Sequence, residues 1–270
     1  MRLLAIARNT LTEALRQKLF ALLLLLALAL AASSQFFRDF NFGSSELKFI
    51  ADFGFGAIVF FGSALTITAT AQLFFSEIEN RTALTLLSKP IRRTEFILGK
   101  FLGVAAITAL FTALTTLLLA ALLWHRENAL MAAQPEAFAA GRLVSYGAVF
   151  AAGLLQWLKF TLLAALTLLI ASYSNTNLYT VVVSFFVLLI CHLQYLARDA
   201  DAHIANPVAR FLTRLLGHVF PNFQLYNITD QIARDTALPG GLVLTAALTA
   251  LFYNAVILAL AALAFRRREI

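Results

Sequence analysis

The sequence predicts an all-α polytopic membrane protein: six transmembrane helices, an amphipathic helix ahead of them, and both termini on the cytoplasmic side. Three observations carry this prediction. The 270 residues are 61% hydrophobic and only 13% charged, whereas a soluble domain is about 45–50% apolar and roughly 25% charged. Uncharged runs long enough to cross a bilayer recur along the chain. Lys and Arg collect in alternate connections between those runs. A soluble core could not hide so much apolar surface, so lipid must be the solvent for most of it.

Residues 1–18 form the leading helix. Leu4, Ala7, Leu11, Ala14 and Leu15 recur at helical spacing, with Arg2, Asn9, Thr12, Glu13 and Arg16 on the other side. Such a helix lies along the inner membrane surface before the chain turns into the bilayer. A cleaved signal peptide is the rival reading, because "ALALAASS" mimics a cleavage site, although the polar lead-in is long for one.

A span needs about 20 mostly apolar residues. The first is 19–37, the second 53–76 between Asp52 and Glu77, and the third 101–124. Phe160 to Ala197 is one uncharged run, too long for a single crossing, and "SYSNTN" (172–177) breaks it with turn-forming residues. The fourth span is therefore 150–171 and the fifth 178–197. The sixth, 241–264, follows the breaker "PGG" (239–241). Residues 198–238 form the largest outer loop, in which "PVARFLTRLLGHVF" (207–220) reads as an interfacial or re-entrant helix.

Orientation follows from the cations. With the N-terminus inside, the inner segments hold twelve: Arg2, Arg8, Arg16, Lys18, Arg81, Lys89, Arg92, Arg93, Lys100, Arg266, Arg267 and Arg268. The longer outer loops hold eight, and Lys159 falls inside a span. The same inner cations account for the net charge of +7, so nucleic acid is not an expected partner. A cell membrane, the inner or plasma membrane, is the expected location.

Several function classes drop out. One cysteine, Cys191, excludes a disulfide framework or a Cys-based zinc site. No Asp or Glu lies within 53–76, 101–124, 143–197 or 236–265, so the buried carboxylate of an ion-coupled transporter is missing. Lys159 reads first as a snorkelling or locally paired side chain, and second as part of a substrate path. "TEFILGKF" lacks the first glycine and the Ser/Thr of a phosphate-binding loop, so this chain is not expected to hydrolyse ATP. "DADAH" (199–203) and His218 show no metal-ligand spacing, Cys191 and His192 diverge around a helix, and no metal site is expected. The Phe-rich segment 37–56 reads as aromatic anchoring at the membrane surface.

Residues 76–100 hold eight charged residues between two uncharged runs. Helix formers continue past the second span until Pro90, which lacks an N–H and turns Lys89 out of helical geometry. A new helix starts near Thr94. The projection carries Leu84, Leu86 and Leu87 among Glu77, Glu79, Arg81, Lys89, Arg92 and Arg93. An apolar centre with a charged rim suits docking into a groove of another protein. A solvated loop that only sets topology is the alternative.

The run Glu79-x-x-Thr82, the leucines after it, Lys89-Pro90-Ile91-Arg92-Arg93, Glu95-Phe96 and Gly99-Lys100 resembles the first cytoplasmic loop of type-2 ABC exporter permeases. One departure is Arg81, where many relatives have Gly. "VFPNFQLYNITDQIA" (219–233), with Pro221, Asn222, Phe223, Tyr226 and Asn227, is similar to the subgroup containing the permease of the nitrous-oxide-reductase maturation transporter. The resemblance implies that 1–18 is an elbow helix and that 76–100 is a coupling helix, seated in a separate ATP-binding subunit. Its contacts would be Glu77, Glu79, Arg81, Thr82, Leu84, Leu87, Lys89, Pro90, Arg92, Arg93, Gly99 and Lys100. It further implies a permease homodimer in a bacterial membrane, with lipid and an outer or accessory protein as further partners. ATP and Mg would sit on the partner, with no cofactor in this chain. A channel or scaffold without an ATPase is the other reading. An intramembrane enzyme is disfavoured, since no nucleophile and base converge among the spans.

Overall fold

A computed structural model describes residues 2–36, 46–79, 93–139, 141–200, 208, 217, 219–229, 232 and 240–266. Among these residues are seven α-helices, two 3₁₀ turns and no strand. Helices α1 (Arg2–Arg16) and α2 (Lys18–Ser33) meet at a 65° bend, where Gln17 adopts an extended backbone. Then follow α3 (Glu46–Glu79), α4 (Arg93–Ala133), α5 (Tyr146–Tyr173), α6 (Asn177–Ala200) and α7 (Gly240–Arg266). Helices α3 to α7 are each long and apolar enough to span a membrane, and the bent α1–α2 pair brings the number to six if it counts as one span. By itself α2 has 16 residues, about 24 Å of helix, against a hydrocarbon core of about 30 Å.

Helix α5 is the hub, packing against α3, α4, α6 and α7. Its approach to α3 is close: a Cβ on Gly62 would fall 2.3 Å from Phe160. Threonines are tolerated within the spans because their hydroxyls donate to the carbonyl one turn back. Thr66 does so to Gly62, Thr70 to Thr66, Thr112 to Thr108 and Thr167 to Leu163, which removes the cost of an unpaired hydroxyl in lipid. Between helices, Trp157 Nε1 donates to the Ala105 carbonyl at 2.9 Å and Asn254 Nδ2 to Thr161 Oγ1 at 3.0 Å. The chain turns from α5 into α6 in three residues, 174–176.

Helix α4 runs on to Ala133, so part of the 125–142 connection is helical. The charges that suggest an end there are paired. Arg126 grips Glu46 at the start of α3 through two bonds of 2.7 and 2.9 Å. Glu127 is fully buried and accepts from Arg142 Nη1, Tyr146 Oη and the Leu143 and Val144 amides, all at 2.8–3.0 Å. Arg142 in turn stacks over Trp124, 4.1 Å from the ring centre. Four donors on one carboxylate clasp α4 to α5, and Pro135 opens the 3₁₀ turn that follows.

The bundle has two ends. Residues 80–92 join α3 to α4 at the loop end. Residues 219–229 lie at the motif end, with the starts of α3, α5 and α7.

Candidate functional site

At the loop end, Phe74 of α3, Phe96 of α4 and Phe265 of α7 form one aromatic knot. Phe96 and Phe265 stack at 5.5 Å, and Phe74 meets them edge-on at 6.0 and 5.6 Å. Arg93 lies beside it. Its Nη1 donates to the Phe265 and Arg266 carbonyls at 2.8 and 3.0 Å, and its guanidinium is 5.7 Å from the Phe265 ring centre. The last turn of a helix leaves carbonyls unsatisfied and partially negative, so a guanidinium caps it favourably.

Helix α1 lies across the same end. A Cβ on Gly99 would fall 2.5 Å from Ile6 Cγ2, and one on Gly103 would fall 2.5 Å from Thr10 Cβ and 3.0 Å from the Ala7 carbonyl. Two glycines one turn apart thus give α4 a flat seat for α1. Ser76 Oγ donates to Glu13 Oε1 at 3.0 Å, tying α3 to α1. The face of α1 turned to the protein centres on Ile6, Ala7, Thr10 and Ala14, whereas Leu4 and Leu15 stay exposed. The apolar residues that look like one stripe in sequence therefore divide between protein and surroundings.

The coupling-loop residues separate accordingly. Gly99 faces α1, Lys100 is buried with its Nζ 5.8 Å from the Phe96 ring centre, and Arg93 caps α7. Arg81, Thr82, Leu84, Leu87, Lys89, Pro90 and Arg92 lie outside the described residues, as do the side chains of Glu77 and Glu79.

At the motif end, Pro221, Phe223 and Tyr226 are buried and Asn227 is exposed. Asn222 Oδ1 accepts from the Gln224 amide at 2.9 Å and caps the 3₁₀ turn Phe223–Tyr226. Asn227 Oδ1 accepts from the Thr229 hydroxyl at 2.6 Å. The Tyr226 carbonyl accepts from Gln156 Nε2 at 3.1 Å, and burial pushes the Tyr226 phenol above its ordinary range. The Ile232 carbonyl accepts from the Ser145 amide at the start of α5. Phe223 meets His192 of α6 edge-on at 5.4 Å.

Beneath this segment is a cavity of about 680 Å³ walled by α3, α5 and α6. Phe55, Val59 and Phe60 of α3 and Phe185, Leu188 and Leu189 of α6 make its apolar sides, with Ser63, Gln156, Lys159 and His192 as the polar groups within the bundle. Cys191 is wholly buried in the core while His192 lines the cavity, so the adjacent pair does point apart. Among the described residues no group of His, Cys, Asp or Glu could hold a metal. His203 and His218 lie outside them.

The model of the ABC-2 family transporter proteins matches residues 4–270, almost the whole chain. The chain belongs to the ABC-2 transporter family. No curated protein matches it. As an ABC-2 permease it is the multi-pass membrane component of a transporter, not itself catalytic, and membership implies an ABC ATP-binding partner. In this permease, sequence spacing alone overlooked two features. The α1 seat has a visible signal, Gly99-x-x-x-Gly103, but the pair becomes a seat only once α1 lies across it. The cavity has one signal, Lys159, the one charge inside the spans read from the sequence.

Proposed function

We propose that the chain is the membrane-spanning subunit of an ATP-driven exporter. Two copies pair to form the path, and each docks a separate ATP-binding subunit through residues 76–100 on the cytoplasmic side. ATP and Mg sit on that subunit. The observation that carries this reading is the family match over residues 4–270. The loop-end geometry supports it, because both helices that enter the loop are braced there, α3 by Glu13 and Phe265 and α4 by α1 and the knot. A push transmitted to braced helix ends moves the helices instead of being absorbed by slack. In the proposal α1 is the elbow helix, and the likeness of residues 219–233 to the nitrous-oxide-reductase maturation subgroup belongs to it as well.

Leu84 and Leu87 supply the buried centre of the docking contact and Glu79 and Arg92 its rim. Truncating a buried anchor costs about 2 kcal/mol or more, whereas exposed rim pairs give roughly 0–1 kcal/mol. The test is retention of the ATP-binding subunit on the tagged permease purified from its own cells, with ATP turnover of the reconstituted complex. Leu84→Asp with Leu87→Asp should lose both while the chain still inserts, and Glu79→Ala should lose less. Normal retention and turnover in the double variant would overturn the docking role.

A further inference from the structure

Lys159 sits at the middle of α5, thirteen residues from Tyr146 and fourteen from Tyr173, about 20 Å of helix from either end. A four-carbon stem covers only a fraction of that distance, so its ammonium cannot snorkel to a membrane surface. Its side chain is 3% exposed and lines the cavity. Among the described residues no carboxylate pairs with it and no group accepts a hydrogen bond from it; the Phe160 ring centre is 5.9 Å from Nζ. A buried ammonium without a counter-ion is costly in a medium of low dielectric. Two further buried polar atoms of the same wall are unpartnered, Ser63 Oγ and Gln156 Oε1. His192 of α6 also lines the cavity, Asp52, Gln224, Asn227 and Thr229 lie toward the motif end, and the remaining wall is aromatic and aliphatic. Asp52, exposed at the rim of the same cavity, lies ten residues before Gly62, which faces Phe160, so it is about 15 Å nearer the motif end by helical rise and does not neutralise Lys159.

We propose that this cavity binds an amphiphile with one acidic head. The carboxylate or phosphate pairs with Lys159 and accepts from Ser63 Oγ, and the apolar body lies against Val59, Phe60 and Leu189. The volume of about 680 Å³ falls within the range of about 300–1,000 Å³ usual for small-molecule sites. Taking this ligand as the exported cargo rests on the permease function proposed above; the binding itself does not.

The test is equilibrium binding of 11-(dansylamino)undecanoate to the purified full-length chain in an uncharged detergent. Laurate and dodecyl phosphate should displace the probe, and dodecanol and dodecylamine should be weaker by at least about tenfold, the factor for one lost charge-assisted hydrogen bond. Lys159→Gln should weaken probe binding by a similar factor while Lys159→Arg stays within about threefold of the parent. Gly56→Leu is the second variant: Gly56 lines the cavity and a Cβ there meets nothing within 4 Å, so added bulk fills the space without disturbing the fold and should weaken binding with Lys159 intact. Displacement by phosphatidylglycerol as strong as by laurate assigns the head to a lipid, and displacement by laurate alone assigns it to a single-chain anion. Equal displacement by dodecanol, or unchanged probe affinity in Lys159→Gln or Gly56→Leu, overturns the proposal. No ATP-binding subunit is present in this measurement, so its failure leaves the permease function standing, and failed docking leaves the binding result standing.

Discussion

Replacing Gly103 by Ala adds one methyl to the seat of α1. That carbon would fall 2.5 Å from Thr10 Cβ, 2.6 Å from Thr10 Cγ2 and 3.0 Å from the Ala7 carbonyl oxygen. Carbon atoms rest at about 3.5–4.0 Å, so α1 must withdraw by roughly 1 Å. Flexible side chains could absorb such a clash, but two of the three contacts are a backbone oxygen and a Cβ fixed to the helix. Overpacking of this kind costs about 1–3 kcal/mol, which multiplies the detached population of α1 by about 5–150. Hydrogen exchange of the peptide covering residues 2–16, in the purified full-length chain, reads that population directly. Exchange should rise in Gly103→Ala and fall back when Thr10→Gly removes both clashing carbons, less the roughly 0.5–1 kcal/mol that a helical glycine costs. Unchanged exchange in Gly103→Ala would refute the seat. So would a double variant that exchanges no more slowly than the single one.

Two other expectations concern the opposite end of the bundle and its orientation. Glu127→Leu strands the Leu143 and Val144 amides and the Tyr146 hydroxyl without an acceptor, at about 1–3 kcal/mol for the buried Val144 amide and less for the two part-buried donors; the thermal midpoint of the purified chain should fall by several degrees, and an unchanged midpoint would show that the clasp is idle. Gln134 and Arg266 are exposed at opposite ends. On a Cys191→Ala background, Gln134→Cys should react with an impermeant thiol reagent added to intact cells and Arg266→Cys should not, and the reverse pattern would invert the proposed orientation.

The long apolar helices could be read from the sequence because lipid imposes a coarse rule, about 20 apolar residues with little charge. The rule weakens at helix ends. Arg126 and Glu127 look like a terminus until Glu46 and Arg142 are brought to them by folding, and a charge that will be paired is indistinguishable in sequence from one that will be solvated. The site is legible to a lesser degree. Arg93 looks like rim charge because it adjoins Arg92, yet its guanidinium reaches carbonyls 172 and 173 positions away. Leu4 and Ala7 share an apolar stripe, and only the position of α4 decides that Ala7 turns inward. Lys159 stands out by charge, but spacing says nothing about the space in front of it.

The cap that Arg93 places on α7 also has a consequence in time. The acceptors are 172 and 173 residues downstream, and at a synthesis rate of about 5–20 residues per second they follow Arg93 out of the ribosome roughly 10–35 s later. During that interval Arg93 is without these two carbonyls and Phe96 is without Phe265 beside it. A chain broken off before Phe265 stays in that condition permanently. The bracing of the helix ends on either side of residues 80–92 therefore reports that the chain has been made and inserted through Phe265, and an interaction that requires the braced form discriminates such chains from shorter ones.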